Sequence, residues 1–162
     1  MTNLEILHAA NAHWDALPRC QKARAFEERV TALLEAQGWT VTPYGLEQVD
    51  YPRSQAIKNS RTPAHLAERH RPDLKISHLD GRKYLAECKS GNWISEDSWN
   101  ELGKLKGIPV VIISKDNKDR IIGCRIRGVE VGEVQQFEKS EGRSGDPARL
   151  ITNKTDWVVI GK

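Results

Sequence analysis

The stretch PDLKISHLDGRKYLAECK, residues 72–89, decides how this chain folds. It reads as two strands, Asp73 to Leu79 and Lys83 to Lys89, joined by Leu79-Asp80-Gly81-Arg82. Asp-Gly between runs of this kind signals a tight hairpin. Side chains alternate across a strand, so Glu87 and Lys89 share one face while Cys88 points to the other. The hairpin lays its strands side by side and lets Asp73 approach Glu87. Two neighbouring carboxylates repel each other unless a cation lies between them. Hard oxygen donors suit Mg2+, with Mn2+ as a substitute. Such a cation polarises a phosphate oxygen and lowers the pKa of a bound water, and Lys89 is placed to hold that water or to neutralise developing charge. This is the minimum set for cleaving a phosphodiester. The pattern also arises by chance, as an exposed Glu87–Lys89 strand pair with Asp73 capping a turn, so its surroundings must decide.

Upstream, residues 23–37 form a helix with Phe26, Val30, Leu33 and Leu34 as its apolar stripe and Gly38 just past its end. With Phe26 at zero on a helical wheel, the stripe centres near about 25° at roughly 100° per residue. Glu27 then lies at the edge of the buried face, whereas Glu28 and Glu35 lie nearly opposite, so Glu27 is the third candidate carboxylate. Trp39-Thr40-Val41-Thr42 alternates like a strand. Downstream, Ser95 can cap a helix with Glu96 and Asp97 in its first turn and Trp99, Leu102 and Leu105 on its buried face. Ile108 to Ser114 is the continuous apolar run of a fully buried strand. Arg120 to Arg127 and Asp156 to Ile160 read as further strands, the second after a turn-rich tail. The fold class is α/β: a mixed central sheet flanked by helices.

At 162 residues, the chain fits one domain, 1–162. It carries a helical extension over 1–18 (Leu4, Leu7, Trp14 and Leu17, stopped by Pro18), a long basic insertion over 45–71, and a C-terminal extension over 128–162. Within the insertion, only Thr62 to Arg69 has the makings of a short helix. A charged fraction of 29% against 38% hydrophobic marks a soluble globular protein. No apolar run nears the roughly 20 residues that span a bilayer, and the N-terminus has no secretory pattern. Three well-separated cysteines, Cys20, Cys88 and Cys124, suggest reduced thiols and a cytoplasmic setting. A net charge of +3 is too mild to name a nucleic-acid partner, so the distribution of charge matters more.

That distribution is uneven. Arg53, Lys58, Arg61, Arg69 and Arg71 stand with His65 and His70 against the lone acid Glu68 and lead straight into Asp73. Alone such a run is a solvated surface; beside a carboxylate cluster it is expected to hold DNA phosphates. Arg19, Lys22 and Arg24 offer a weaker version. No histidine pairs with a His or Cys at zinc-ligand spacing. Trp14, Trp39, Trp99 and Trp157 read as core or interface anchors, whereas Trp93, just past Lys89, is a candidate DNA contact.

Pro72-Asp73…Glu87-Cys88-Lys89 resembles the PD-(D/E)XK, or restriction-endonuclease-like, nuclease superfamily. The finer likeness is to archaeal-type Holliday-junction resolvases. In those a helix with an inward Glu precedes a Leu-Leu-Glu…Gly-aromatic-x-Val run, as in Glu27…Leu33-Leu34-Glu35…Gly38-Trp39-Thr40-Val41 here. They also carry a GIPV strand entry, here Gly107-Ile108-Pro109-Val110. The resemblance covers roughly residues 22 to 127. It implies Glu27, Asp73 and Glu87 as metal ligands, with the Cys88 main-chain carbonyl beside them, and Lys89 as the catalytic lysine. It further implies a Mg2+-dependent homodimer that cuts four-way DNA junctions symmetrically. The longer insertion before Asp73 and the two terminal extensions depart from that pattern, which leaves open a nuclease of restriction or repair type and a DNA-binding module without turnover.

Overall fold

The computed structural model describes residues 2, 18–46, 51–136 and 146–162. The expected first helix, with Leu4, Leu7, Trp14 and Leu17, lies outside them, as does residues 141–145 of the turn-rich tail.

Helix α1 (Pro18–Ala36) starts earlier than the apolar stripe suggests. Pro18, expected to end a preceding helix, opens this one, a position where its missing N–H costs nothing. Phe26, Val30 and Leu34 are buried as the stripe requires. The helix closes at Gly38, whose φ of 89° suits glycine and whose amide donates to the Glu35 carbonyl at 3.0 Å. Strand β1 (Trp39–Pro43) follows at once.

The segment read as a loop is largely helical. Helix α2 (Tyr51–Lys58) buries Ser54 and Ile57, and α3 (Pro63–Arg69) is started by the Thr62 hydroxyl, which accepts from the His65 amide at 3.3 Å, and by Pro63 in its first turn. Each helix is about two turns long, too short to show a period. Only the Thr62–Arg69 helix was legible.

Strands β2 (Leu74–His78) and β3 (Lys83–Cys88) make the expected hairpin. Strand β4 (Trp93–Ser95) and helix α4 (Glu96–Lys104) then carry the chain across to β5 (Val110–Lys115), which runs parallel to β3. Ser95 caps α4 as expected, accepting from the Ser98 amide at 3.1 Å. Strands β6 (Ile121–Arg125) and β9 (Val158–Gly161) complete a six-stranded sheet of order β1-β2-β3-β5-β6-β9. The expected strand to Arg127 stops at Arg125 because Ile126–Gly128 turn into a 3-10 helix.

Both faces of this sheet are covered, which is why β5 reads as an unbroken apolar run. Ile113 joins Leu74, Ile76 and Ala86 under α1, while Ile112 joins Leu85, Leu102, Ile122, Ile151 and Trp157 on the other side. On that second side the C-terminal extension adds β7 (Glu130–Gln136) and β8 (Pro147–Asn153), which with β4 form a separate three-stranded sheet, β4-β8-β7. The architecture is a mixed central sheet with flanking helices, the restriction-endonuclease-like plan. No helix among the described residues is long and apolar enough to cross a membrane.

Candidate active site

The hairpin register pairs Leu74 with Ala86, which sets Asp73 against Glu87, each one residue further toward the sheet's end. Two main-chain contacts pin Asp73. Its carbonyl accepts from the Tyr44 amide at 2.8 Å, and its Oδ2 accepts from the Cys88 amide at 2.8 Å. The Lys89 amide donates to the Ile113 carbonyl at 2.8 Å, so pairing with β5 continues one step past Cys88. By strand alternation Leu85, Glu87 and Lys89 share a face, and the Lys89 Nζ lies 3.2 Å from Glu87 Oε1. Glu87 is buried, at 6% exposure.

Burial governs the electrostatics. It raises the Asp73 carboxyl above its ordinary pKa, against the opposing pull of the Cys88 amide, Lys89 and a hydrogen bond with Glu27. Burial also pushes the Glu87 carboxyl up to about 7, with the Asp73 charge adding to the effect and Lys89 opposing it. Burial alone would lower the Lys89 ammonium, but Glu87 and then Asp73 outweigh it and raise the pKa. The Cys88 thiol is raised well above its usual value by burial and then by Asp73, Glu27 and Glu87, so it is a packed, unreactive thiol. Its side chain lies on the α1 side of the sheet, as alternation requires.

Glu27 reaches the site by an unexpected route. Helix α1 covers the Ala86 face of the sheet, opposite Leu85 and hence opposite Glu87. Glu27 is half-buried and its carboxyl hydrogen-bonds that of Asp73 at the sheet's end. Two carboxyls meet in this way only when a proton or a cation lies between them. A shared proton accounts for the Glu27–Asp73 contact, and the carboxylate oxygens match a hard divalent cation in donor type alone. The gathering is incomplete, since no group of three His, Cys, Asp or Glu side chains among the described residues is close enough to hold a metal ion.

The basic segment is less free than its composition implies. Arg53 pairs with Glu68 at 2.9 Å, Arg61 with Asp97 at 3.5 Å, and Arg69 with Asp146 at 3.7 Å while also donating to the Lys58 carbonyl. Arg71 stacks 4.9 Å over the Tyr44 ring. Asp97 lies in α4 and Asp146 just before β8, so counting charges along residues 53–71 could not have found them. Arg53 and Arg61 remain exposed, and Trp93 sits half-exposed at the start of β4. The Arg19 side chain is outside the described structure.

Two further groups lie near the site, His70 from the basic segment and Lys154, which carried no sequence signal. His70 Nδ1 lies 3.0 Å from Ser98 Oγ, and burial, then Arg69, lower the pKa of its ring. Lys154, in the C-terminal extension, reaches the segment that follows Lys89.

No protein-family model and no curated protein matches the chain. Among solved structures it is similar to Hjc, a Holliday junction resolvase from the archaeal hyperthermophile Archaeoglobus fulgidus. The identity is 12% and the TM-score 0.46, over 79% of this chain and 87% of that one, a likeness too slight to bear on activity.

Proposed function

We propose that this chain is a Mg2+-dependent DNA endonuclease that cuts branched DNA, the four-way junction foremost, as a homodimer. The observation that carries the reading is Lys89 held 3.2 Å from a buried Glu87 beside Asp73 at one end of the sheet. Only the carboxylate of this pair is buried, the lysine being partly exposed, and a charge drawn out of water in this way is costly to keep. Asp73 and Glu87 would hold the cation, with Glu27 and the Cys88 carbonyl completing its shell. When bound, that cation polarises the scissile phosphate and acidifies a water.

The remaining roles belong to the chain's own groups. Glu87 orients the Lys89 ammonium, which neutralises charge gathering on the phosphate and holds a water by its lone pair. The Cys88 amide keeps the Asp73 carboxylate turned toward the site. Arg53, Lys58, Arg61, Arg69 and Arg71 would meet the flanking phosphates, Arg53, Arg61 and Arg69 by exchanging their present carboxylate partners, and Trp93 would touch DNA. The choice of a junction rests on the motif resemblance around Glu27 and Gly107–Val110. A two-fold dimer would match the two equivalent strands of a junction.

The test compares cleavage of a four-way junction and a linear duplex of the same sequence, with Mg2+, by the wild-type chain and by Asp73→Asn. Paired nicks in the junction alone, lost in the variant, are expected. Cutting of the duplex as well would move the substrate to restriction or repair type. Binding without cutting would leave a DNA-binding module.

A further inference from the structure

The C-terminal extension supplies a lysine that no sequence pattern singles out. Lys154 stands in the turn between β8 and β9, yet its Nζ reaches four acceptors on two other elements. These are Asn92 Oδ1 at 2.7 Å, Ser114 Oγ at 2.8 Å, the Lys115 carbonyl at 3.3 Å and the Gly91 carbonyl at 3.4 Å. The Ser114 side chain is fully buried at the end of β5, and its hydroxyl donates to the Lys89 carbonyl at 2.6 Å. A hydroxyl has one proton. With that proton committed to Lys89, the Ser114 oxygen must accept from Lys154, so the relay Lys154–Ser114–Lys89 has one direction. Burial, and then the nearby charge of Lys115, lower the pKa of the Lys154 ammonium. An ammonium kept there against both is held by its acceptors.

We propose that Lys154 is a positioning residue for Lys89, clamping residues 90–92 and the end of β5 so that the main chain carrying Lys89 stays in one place. Lys89 is the last residue of the hairpin to be tied into the sheet, through its amide to Ile113. Beyond it the chain turns away through Ser90, Gly91 and Asn92 into β4. Gly91 places no side chain in that turn, so its anchors lie elsewhere. One is the Ile151 amide, which donates to the Asn92 carbonyl at 2.6 Å, and the other is Lys154. Both come from the C-terminal extension. That extension thus braces the lysine from behind, a part the resemblance leaves without a counterpart. A displacement of the order of 1 Å at a reacting group costs about 100-fold in rate, which is the scale on which such a brace matters.

The proposal rests on the reading of Lys89 as catalytic, so its test has two arms on the full chain. In the first, hydrogen exchange is followed in Lys154→Met and Ser114→Ala. Exchange at the Lys89 and Ile151 amides is expected to rise about tenfold, while α1 amides stay within about twofold and Lys154→Arg returns toward wild type. Unchanged exchange at those amides overturns the proposal, and an equal rise across α1 and both sheets does so too, since Lys154 would then be merely structural. In the second arm, the single-turnover cleavage rate of Lys154→Met on junction DNA with Mg2+ is expected to fall about 10- to 100-fold with affinity kept within about twofold. Lost affinity with an unchanged rate would make Lys154 a phosphate contact and overturn it. A wild-type chain that cuts no DNA removes the nuclease reading, while the exchange arm still decides whether Lys154 holds Lys89.

Discussion

Glu87→Gln tests the electrostatics of the site without requiring any catalysis. In the folded chain Glu87 titrates at about 7 instead of its ordinary 4.5, chiefly because it is buried. The folded state therefore binds this proton more tightly than the unfolded state does. Its contribution to stability is complete below about pH 4.5 and is lost as pH rises through about 7. At about 1.4 kcal/mol for each pH unit between the two values, the loss is about 3 kcal/mol. Glutamine is neutral at every pH and nearly the same shape. The ion pair with Lys89, which the variant lacks at every pH, needs no separate allowance, because its attraction is already contained in the Glu87 pKa of about 7. The assay is urea denaturation of both proteins in the presence of a chelator at pH 5 and pH 8. Relative to wild type, Glu87→Gln should gain about 2 to 3 kcal/mol between the two pH values. Adding millimolar Mn2+ at pH 8 should then stabilise the wild type, by about 1.4 kcal/mol for each tenfold excess over its dissociation constant, and the variant much less. Parallel pH profiles in chelator would refute the reasoning, because a solvated Glu87 would have no proton to hold.

Lys89→Ala is expected to lower the single-turnover cleavage rate by about 100-fold or more with little change in DNA affinity, measured side by side by rapid quench and by fluorescence anisotropy. A large affinity loss at constant rate would make Lys89 an ordinary phosphate contact. Neutralising Arg61 and Arg69 together should flatten the salt dependence of DNA binding by up to about two units of slope, and an unchanged slope would return the segment to a solvated surface held by Asp97 and Asp146. Gly81→Ala should cost about 1 kcal/mol in urea denaturation, because the hairpin turn holds Gly81 at a φ of 95° with open space around its Cα, leaving backbone strain as the whole effect.

What could be read from the chain divides along a physical line. The hairpin, the helix of Phe26, Val30 and Leu34, the Ser95 cap and the buried run of β5 are each encoded within one or two turns or strands. Alternation, helical period and capping chemistry act over just that range. The Asp73–Glu87 opposition belongs with them, because a two-strand register follows from a single turn. Glu27 shows where such inference stops. A helical wheel tells which side of a helix is buried, but not which face of the sheet buries it. Here α1 lies on the Ala86 side, so Glu27 meets Asp73 around the sheet's end. The second sheet was hidden for a related reason. β4 is three residues long, β7 reads Glu-Val-Gly-Glu-Val-Gln-Gln with little apolar alternation, and their partner β8 is remote in sequence from β4. Pairing over such distances is decided by what the rest of the fold leaves uncovered, and the uncovered element was the far side of the central sheet, with Ile112, Ile122 and Leu85. The same holds for charge. Asp97 and Asp146 pair with arginines that stand nearly unopposed in their own segment, and Lys154 reaches Gly91 and Asn92 across some sixty residues of chain. Elements that fold from local signals thus set out the candidate site residues Asp73, Glu87 and Lys89, and elements joined only by tertiary pairing surround them.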